Sequence, residues 1–169
     1  MITTEDVLRE LFDQLPDVKD SNDNLFKVKF NWGNQDDLNL FLSQFKSTTK
    51  YPLIWLVDGE DTIDIYSTEI NRKARLIIAK QSIHQTNTNP IVWDSEFRDV
   101  LNPLLENVLK CLNESGKTMI KNGIHKIKRD ANYSDKSAIS ATIDPWNIII
   151  LDFDLVIFPY QCFHTIKFN

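Results

Sequence analysis

Two aspartates carry the strongest hint of chemistry in this chain. Leu151-Asp152-Phe153-Asp154-Leu155-Val156 matches the hydrophobic–Asp–x–Asp pattern by which aspartate-nucleophile phosphatases present a nucleophile and an acid/base. That chemistry needs the carboxylates at the end of a central strand, a magnesium ion and further residues downstream. Only 15 residues follow Asp154, and both aspartates fall inside one alternating run, on one face. The pattern fits better with a solvated or ion-paired sheet face opposite Arg72, Lys73 or Arg75. A small metal-dependent hydrolase using Asp152 and Asp154 is the enzymatic alternative. Magnesium or manganese binding that Asp152→Asn abolishes would reveal it.

Other chemical motifs give way in the same manner. Gly116-Lys117-Thr118 ends like a phosphate-binding loop, but that motif has glycine where this chain has Cys111, and it follows a strand rather than a helix. Gly116 is more simply a helix C-cap. His84, His125 and His164 lie far apart, with no metal-ligand spacing to each other or to the cysteines. Asp58, Glu60, Asp61 and Asp64 form an acidic turn without the spacing of a calcium loop. No catalytic residue, cofactor site or metal site is therefore expected.

The elements that must position these residues follow from periodicity. Val7, Leu8, Leu11, Phe12 and Leu15 make one stripe of a helix over 5–15, capped by Thr3 with Asp6 and stopped by Pro16. Phe26, Val28 and Phe30 alternate as a short strand. Leu38, Phe41, Leu42 and Phe45 mark a helix over 36–45, with Asn34 or Gln35 at its N-cap. Leu53 to Val57 is a buried strand, and 62–68 and 72–80 alternate as two more. Residues 84–90 suit a loop. Phe97, Leu101, Leu104, Leu105, Val108, Cys111 and Leu112 define a long helix, and Pro103 inside it predicts a bend. The stretch 119–130, with three lysines and one arginine, is read as a hairpin arm, and 131–140 as a loop. Residues 147–158 form the strongest strand, and 163–168 a short last one. Consecutive strands favour hairpins. The expected fold is α+β, a mostly antiparallel sheet with two or three helices packed on one face, in a single domain over 1–169 with 117–143 as an arm or loop used in assembly.

Composition narrows the function classes. The chain has 169 residues, 42% of them hydrophobic, enough to bury a core without staples. Nineteen lysines and arginines face 24 acidic residues, a net charge of −5, and no basic block suits a nucleic-acid clamp. Cys111 and Cys162 are too few for a disulfide framework and are expected as buried free thiols. The polar, acidic N-terminus lacks the features of a signal peptide, and no apolar run is long enough to span a membrane, so a soluble, intracellular protein is expected. Of the four tryptophans, Trp55 suits the core, while Trp93 and Trp146 stand between core and interface.

The order Tyr51-Pro52-Leu53-Ile54-Trp55-Leu56, Ala74-Arg75-Leu76-Ile77-Ile78-Ala79, Phe97 to Leu105, Asp144-Pro145-Trp146 and Leu151 to Leu155 resembles the tail-terminator or tail-completion proteins of the head–tail neck of tailed phages. The resemblance covers roughly residues 50–160 and rests on packing residues. It implies a structural virion protein without enzymatic activity or cofactor. It also implies a ring of identical subunits, commonly a hexamer, that joins neck, tail-tube or portal-adaptor proteins and passes DNA as cargo, with no membrane contact. The acidic net charge suits such a lumen. A ring needs heterologous contacts. The expected interface residues are Trp93, then Lys117, Lys121, Lys126, Lys128 and Arg129 on the basic arm, and Trp146, Asp152 and Asp154 at the last long strand, whose even face carries the two aspartates. A cytosolic adaptor is the remaining alternative.

Overall fold

In the computed structural model, residues 2–19, 23–44, 51–81, 93–133 and 146–168 are described. Helix α1 (Thr4–Phe12) begins where Thr3 accepts the Asp6 N–H at 3.2 Å, and Thr3 Oγ1 donates to Asp6 Oδ2 at 2.9 Å, so the expected cap forms. The region read as one strand around Phe26 is two. β2 (Leu25–Phe26) pairs with β1 (Val18–Lys19), and β3 (Lys29–Gly33) joins the main sheet. Helix α2 (Gln35–Gln44) starts at Asn34, whose side chain accepts the N–H groups of Asp36 and Asp37. It links β3 to its parallel neighbour β4 (Leu53–Val57), since parallel strands require a crossover.

β5 (Asp61–Ile63) is shorter than its alternation predicts. Asp64 accepts the N–H groups of Tyr66 and Ser67, which turns the chain away from the sheet. β6 (Ile70–Gln81) and β8 (Trp146–Ile157) pair antiparallel over their whole 12-residue lengths and form the centre. The main sheet runs β3-β4-β6-β8-β7, with β5 beside β6. Every pairing except β3–β4 is antiparallel.

The long helix departs from expectation at its start. Trp93–Leu101 is π-helical and α3 (Asn102–Glu114) continues from it. Pro103 therefore sits in the first turn of α3, where its missing N–H costs least, rather than bending a helix interior. Gly116 ends the element with φ +76°, and an added Cβ there would approach the His164 ring to 2.8 Å.

Two cores result. α1, the π-helical segment and α3 cover one face over Ile54, Leu76, Ile78, Ile149 and Leu151. Thus two helical elements share a face as expected, but α2 packs on the opposite face, where Leu38 and Leu42 meet Trp55, Ile77, Trp146 and Ile148. Residues 163–168 form no strand. Phe163, Ile166 and Phe168 instead pack as an extended tail against the first core.

Candidate assembly surface

β7 (Thr118–Tyr133) is not a hairpin arm but a single long strand at the edge of the sheet, paired with β8. Its pairing is broken once near its start. Ile120 faces Leu155 and His125 faces Phe153, so 121–124 bulge out opposite Asp154. Asn122 and Gly123 adopt positive φ, 58° and 66°, which lets the chain fold out of the ladder. Residues 121–129 are all exposed, including Ile124 and Ile127. Among the described residues, no strand pairs with the outer edges of β7, β5 or β3.

The bulge overhangs an open groove of about 580 Å³ whose floor carries Lys73, Arg75, Asp152 and Asp154 and whose rims carry Asp58 and Lys121. Arg75 Nε donates to Asp152 Oδ1 at 2.7 Å and Nη2 to Oδ2 at 3.2 Å, the bidentate geometry that suits a planar guanidinium. Register places Lys126 on the other side of Asp152 and Lys73 opposite Asp154. The charges thus alternate strand by strand across this half of the face. The β4–β5 turn is acidic (Asp58, Glu60), β6 basic (Lys73, Arg75), β8 acidic (Asp152, Asp154) and β7 basic (Lys121, Lys126). Opposite charges on neighbouring strands attract, each pair by roughly 0.2–1 kcal/mol. The expected ion-paired face is present at Asp152, while Asp154 stands exposed opposite Lys73.

Arg72 belongs elsewhere. It projects through the other face, 4% exposed, where Nη1 donates to Glu5 Oε1 at 2.5 Å and approaches Asp61 Oδ1 at 3.5 Å. Asp61 also accepts the Thr4 hydroxyl. Burial pushes the Glu5 carboxyl up, but the Arg72 hydrogen bond, Glu5's own backbone and the Arg72 charge together hold it below the usual glutamate range. The N–H of Tyr66 and the hydroxyl and N–H of Ser67 hold Asp64 below the aspartate range. The acidic turn therefore serves as a tie to α1 and as a capped turn.

The other expected interface residues divide by burial. Trp93 is 48% exposed and stacks on Phe97 at 4.5 Å, so it stands at the surface. Trp146 is fully buried in the α2 core, and its assignment to an interface is corrected: β8 begins beneath α2, where only an apolar side chain packs. Lys117 is largely covered. Its amine lies 3.9 Å from Glu10 and 4.4 Å over the Phe163 ring, so it holds the tail rather than a neighbour. Lys128 pairs with Asp130 at 3.2 Å, and Arg129 donates twice to Asn102 Oδ1, while both remain exposed. Lys121, Lys126, Asp152 and Asp154 meet across the groove. The 84–90 loop with His84, and 134–140 of the expected 131–140 loop, lie outside the described residues, while 131–133 belong to β7. His125 lines the groove and His164 packs on Gly116.

Sequence reasoning missed Glu96, a buried carboxylate that accepts a hydrogen bond from the equally buried Asn147 and ties the π-helical segment to β8. Its position on the apolar side of a helical stripe was the available signal. Both cysteines are free. Burial, and then the nearby Glu114, push the Cys111 thiol up to about 12, while Cys162 is exposed. Among the described residues, no helix is long and apolar enough to cross a membrane, and no group of three or more His, Cys, Asp or Glu residues is placed to hold a metal ion.

No family model matches the chain, and no curated protein matches it.

Proposed function

We propose that this chain is a structural subunit that works by assembly. Following the resemblance to tail-terminator and tail-completion proteins, it forms a ring at the head–tail neck of a tailed bacteriophage, joins or terminates the tail, and lets DNA pass. The observation that supports assembly most directly is β7: an edge strand exposed from 121 to 129, carrying apolar and basic side chains, with no strand among the described residues paired to its outer side. Exposed edges are templates for pairing with another chain, and basic residues interleaved with Met119, Ile124 and Ile127 give that edge both adhesion and selectivity. Asp152, held by two nitrogens of one guanidinium, is built for structure more than for attack on a substrate.

Electron microscopy of the protein in its native assembly tests this. A closed ring at the junction of a phage head and tail is the expected result. A chain that stays monomeric when mixed with neck and tail-tube components, or that is missing from purified particles, overturns the reading.

A further inference from the structure

The sign alternation across the groove does not end in balance. The β4–β5 side finishes acidic: 58–69 holds Asp58, Glu60, Asp61, Asp64 and Glu69 and no lysine or arginine. The β7 side finishes basic: 118–130 holds Lys121, Lys126, Lys128 and Arg129 against Asp130. These two stretches lie on opposite edges of the same sheet, with β6 and β8 between them. Both edges expose apolar side chains among their charges, Ile63, Ile65 and Tyr66 on one and Met119, Ile124 and Ile127 on the other.

We infer that the occupant of the β7 edge is a second copy of this chain, presenting its β5 edge and acidic turn, so that the alternation acidic–basic–acidic–basic continues from one subunit into the next. This rests on the assembly reading above and names its contact. Charge complementarity carries it. A copy added in the opposite sense would set β7 against β7 or the acidic turn against itself, and like charges on neighbouring strands repel. Only the head-to-tail arrangement satisfies both edges at once, and such a heterologous contact propagates until the rotation per subunit closes a ring. The right-handed twist of the sheet supplies a rotation at every step.

The test is a charge swap read by native mass spectrometry and light scattering on the full chain. Lys121→Glu with Lys126→Glu makes the basic edge acidic. Asp58→Lys with Glu60→Lys makes the β4–β5 turn beside the groove basic. All four side chains are exposed, and circular dichroism with thermal melting verifies that each variant folds. The wild type is expected to self-associate, each double variant alone to weaken association at least about tenfold, and an equimolar mixture of the two to restore it, because each then offers the other two complementary edges. An oligomer indifferent to both swaps overturns the edge assignment and leaves the assembly reading standing. Self-association lost in both variants and not restored on mixing also overturns it. A wild type that remains monomeric, or that associates only with a different protein, overturns self-pairing, and the particle microscopy then decides the assembly reading separately.

Discussion

β6 and β8 run side by side over twelve residue pairs, yet the two halves of their shared α2-side face are built from different materials. Toward one end the face shows Ile77, Ala79, Ile148 and Ile150, and α2 closes over it with Leu38 and Leu42. Toward the other end, the positions of the same parity are Lys73, Arg75, Asp152 and Asp154, and among the described residues no helix covers them. The change happens within each strand, without a break in pairing. Backbone geometry is the same in both halves, so side-chain chemistry alone decides which half recruits a helix and which stays open to water or to another subunit. Burying the charged half beneath an apolar helix would strip water from four ionised groups, a cost that pairing among them repays only in part.

Substitutions can break this contrast, and the largest effect belongs to the covered half. Trp146→Ala removes a fully buried indole and is expected to lower stability by about 3–5 kcal/mol, measured by urea unfolding. An unchanged midpoint would mean that α2 does not hold that half.

Next comes the contrast between two arginines three residues apart on β6. Arg72→Met leaves the Glu5 carboxylate without its partner beside the buried α1 contact, an expected loss of about 2–3 kcal/mol, less than for a fully buried pair because both carboxylates keep some water contact. Arg75→Met, in the open half, is expected to cost less than about 1 kcal/mol, because both partners are solvated. Equal losses would erase the distinction between covered and open faces.

The same pair sets an acid response. Glu5 titrates lower in the folded chain than in the unfolded one. Its contribution is therefore complete above the unfolded value, about 4.3, and is lost as pH falls through the depressed folded value. Unfolding followed between neutral and strongly acidic pH is expected to show a destabilising step below the ordinary glutamate range, shallower in Arg72→Met. A step of the same size in both proteins would remove Arg72 as its cause.

The smallest perturbation is chemical labelling. Cys111 lies inside the core with its thiol pushed up to about 12, whereas Cys162 is exposed. A thiol reagent at mildly alkaline pH is expected to modify one cysteine in the native chain and both in denaturant. Fast native labelling of Cys111 would show that the α3 core opens readily.

Much of this was legible in the sequence. Periodicity located α1, α2, β4, β6 and β8 and sorted their inward faces, because burial imposes its period directly on apolar residues. The alternation around Asp152 and Asp154 already implied an ion-paired face, and Arg75 was among the partners it suggested. Three features escaped. Arg72 and Arg75 look equivalent in composition, and only the strand's parity together with the position of α1 separates a buried tie from a surface pair. The bulge at 121–124 depends on a register that β8 imposes on β7. Trp146 could have stood at a surface, until α2 crossed to that side of the sheet.

Local sequence by itself determined the long elements α1, α2, α3, β4, β6 and β8, where α1 and α2 begin, and which apolar faces of these elements avoid water, since propensity, capping and hydrophobic period act over a few neighbouring residues. Tertiary structure alone decided which face each helix covers, which strand is left at the edge, and how the charges of four distant segments line up in alternating rows. Those outcomes depend on pairing between residues as far apart as Ile70 and Ile157, and no local pattern encodes the choice of partner.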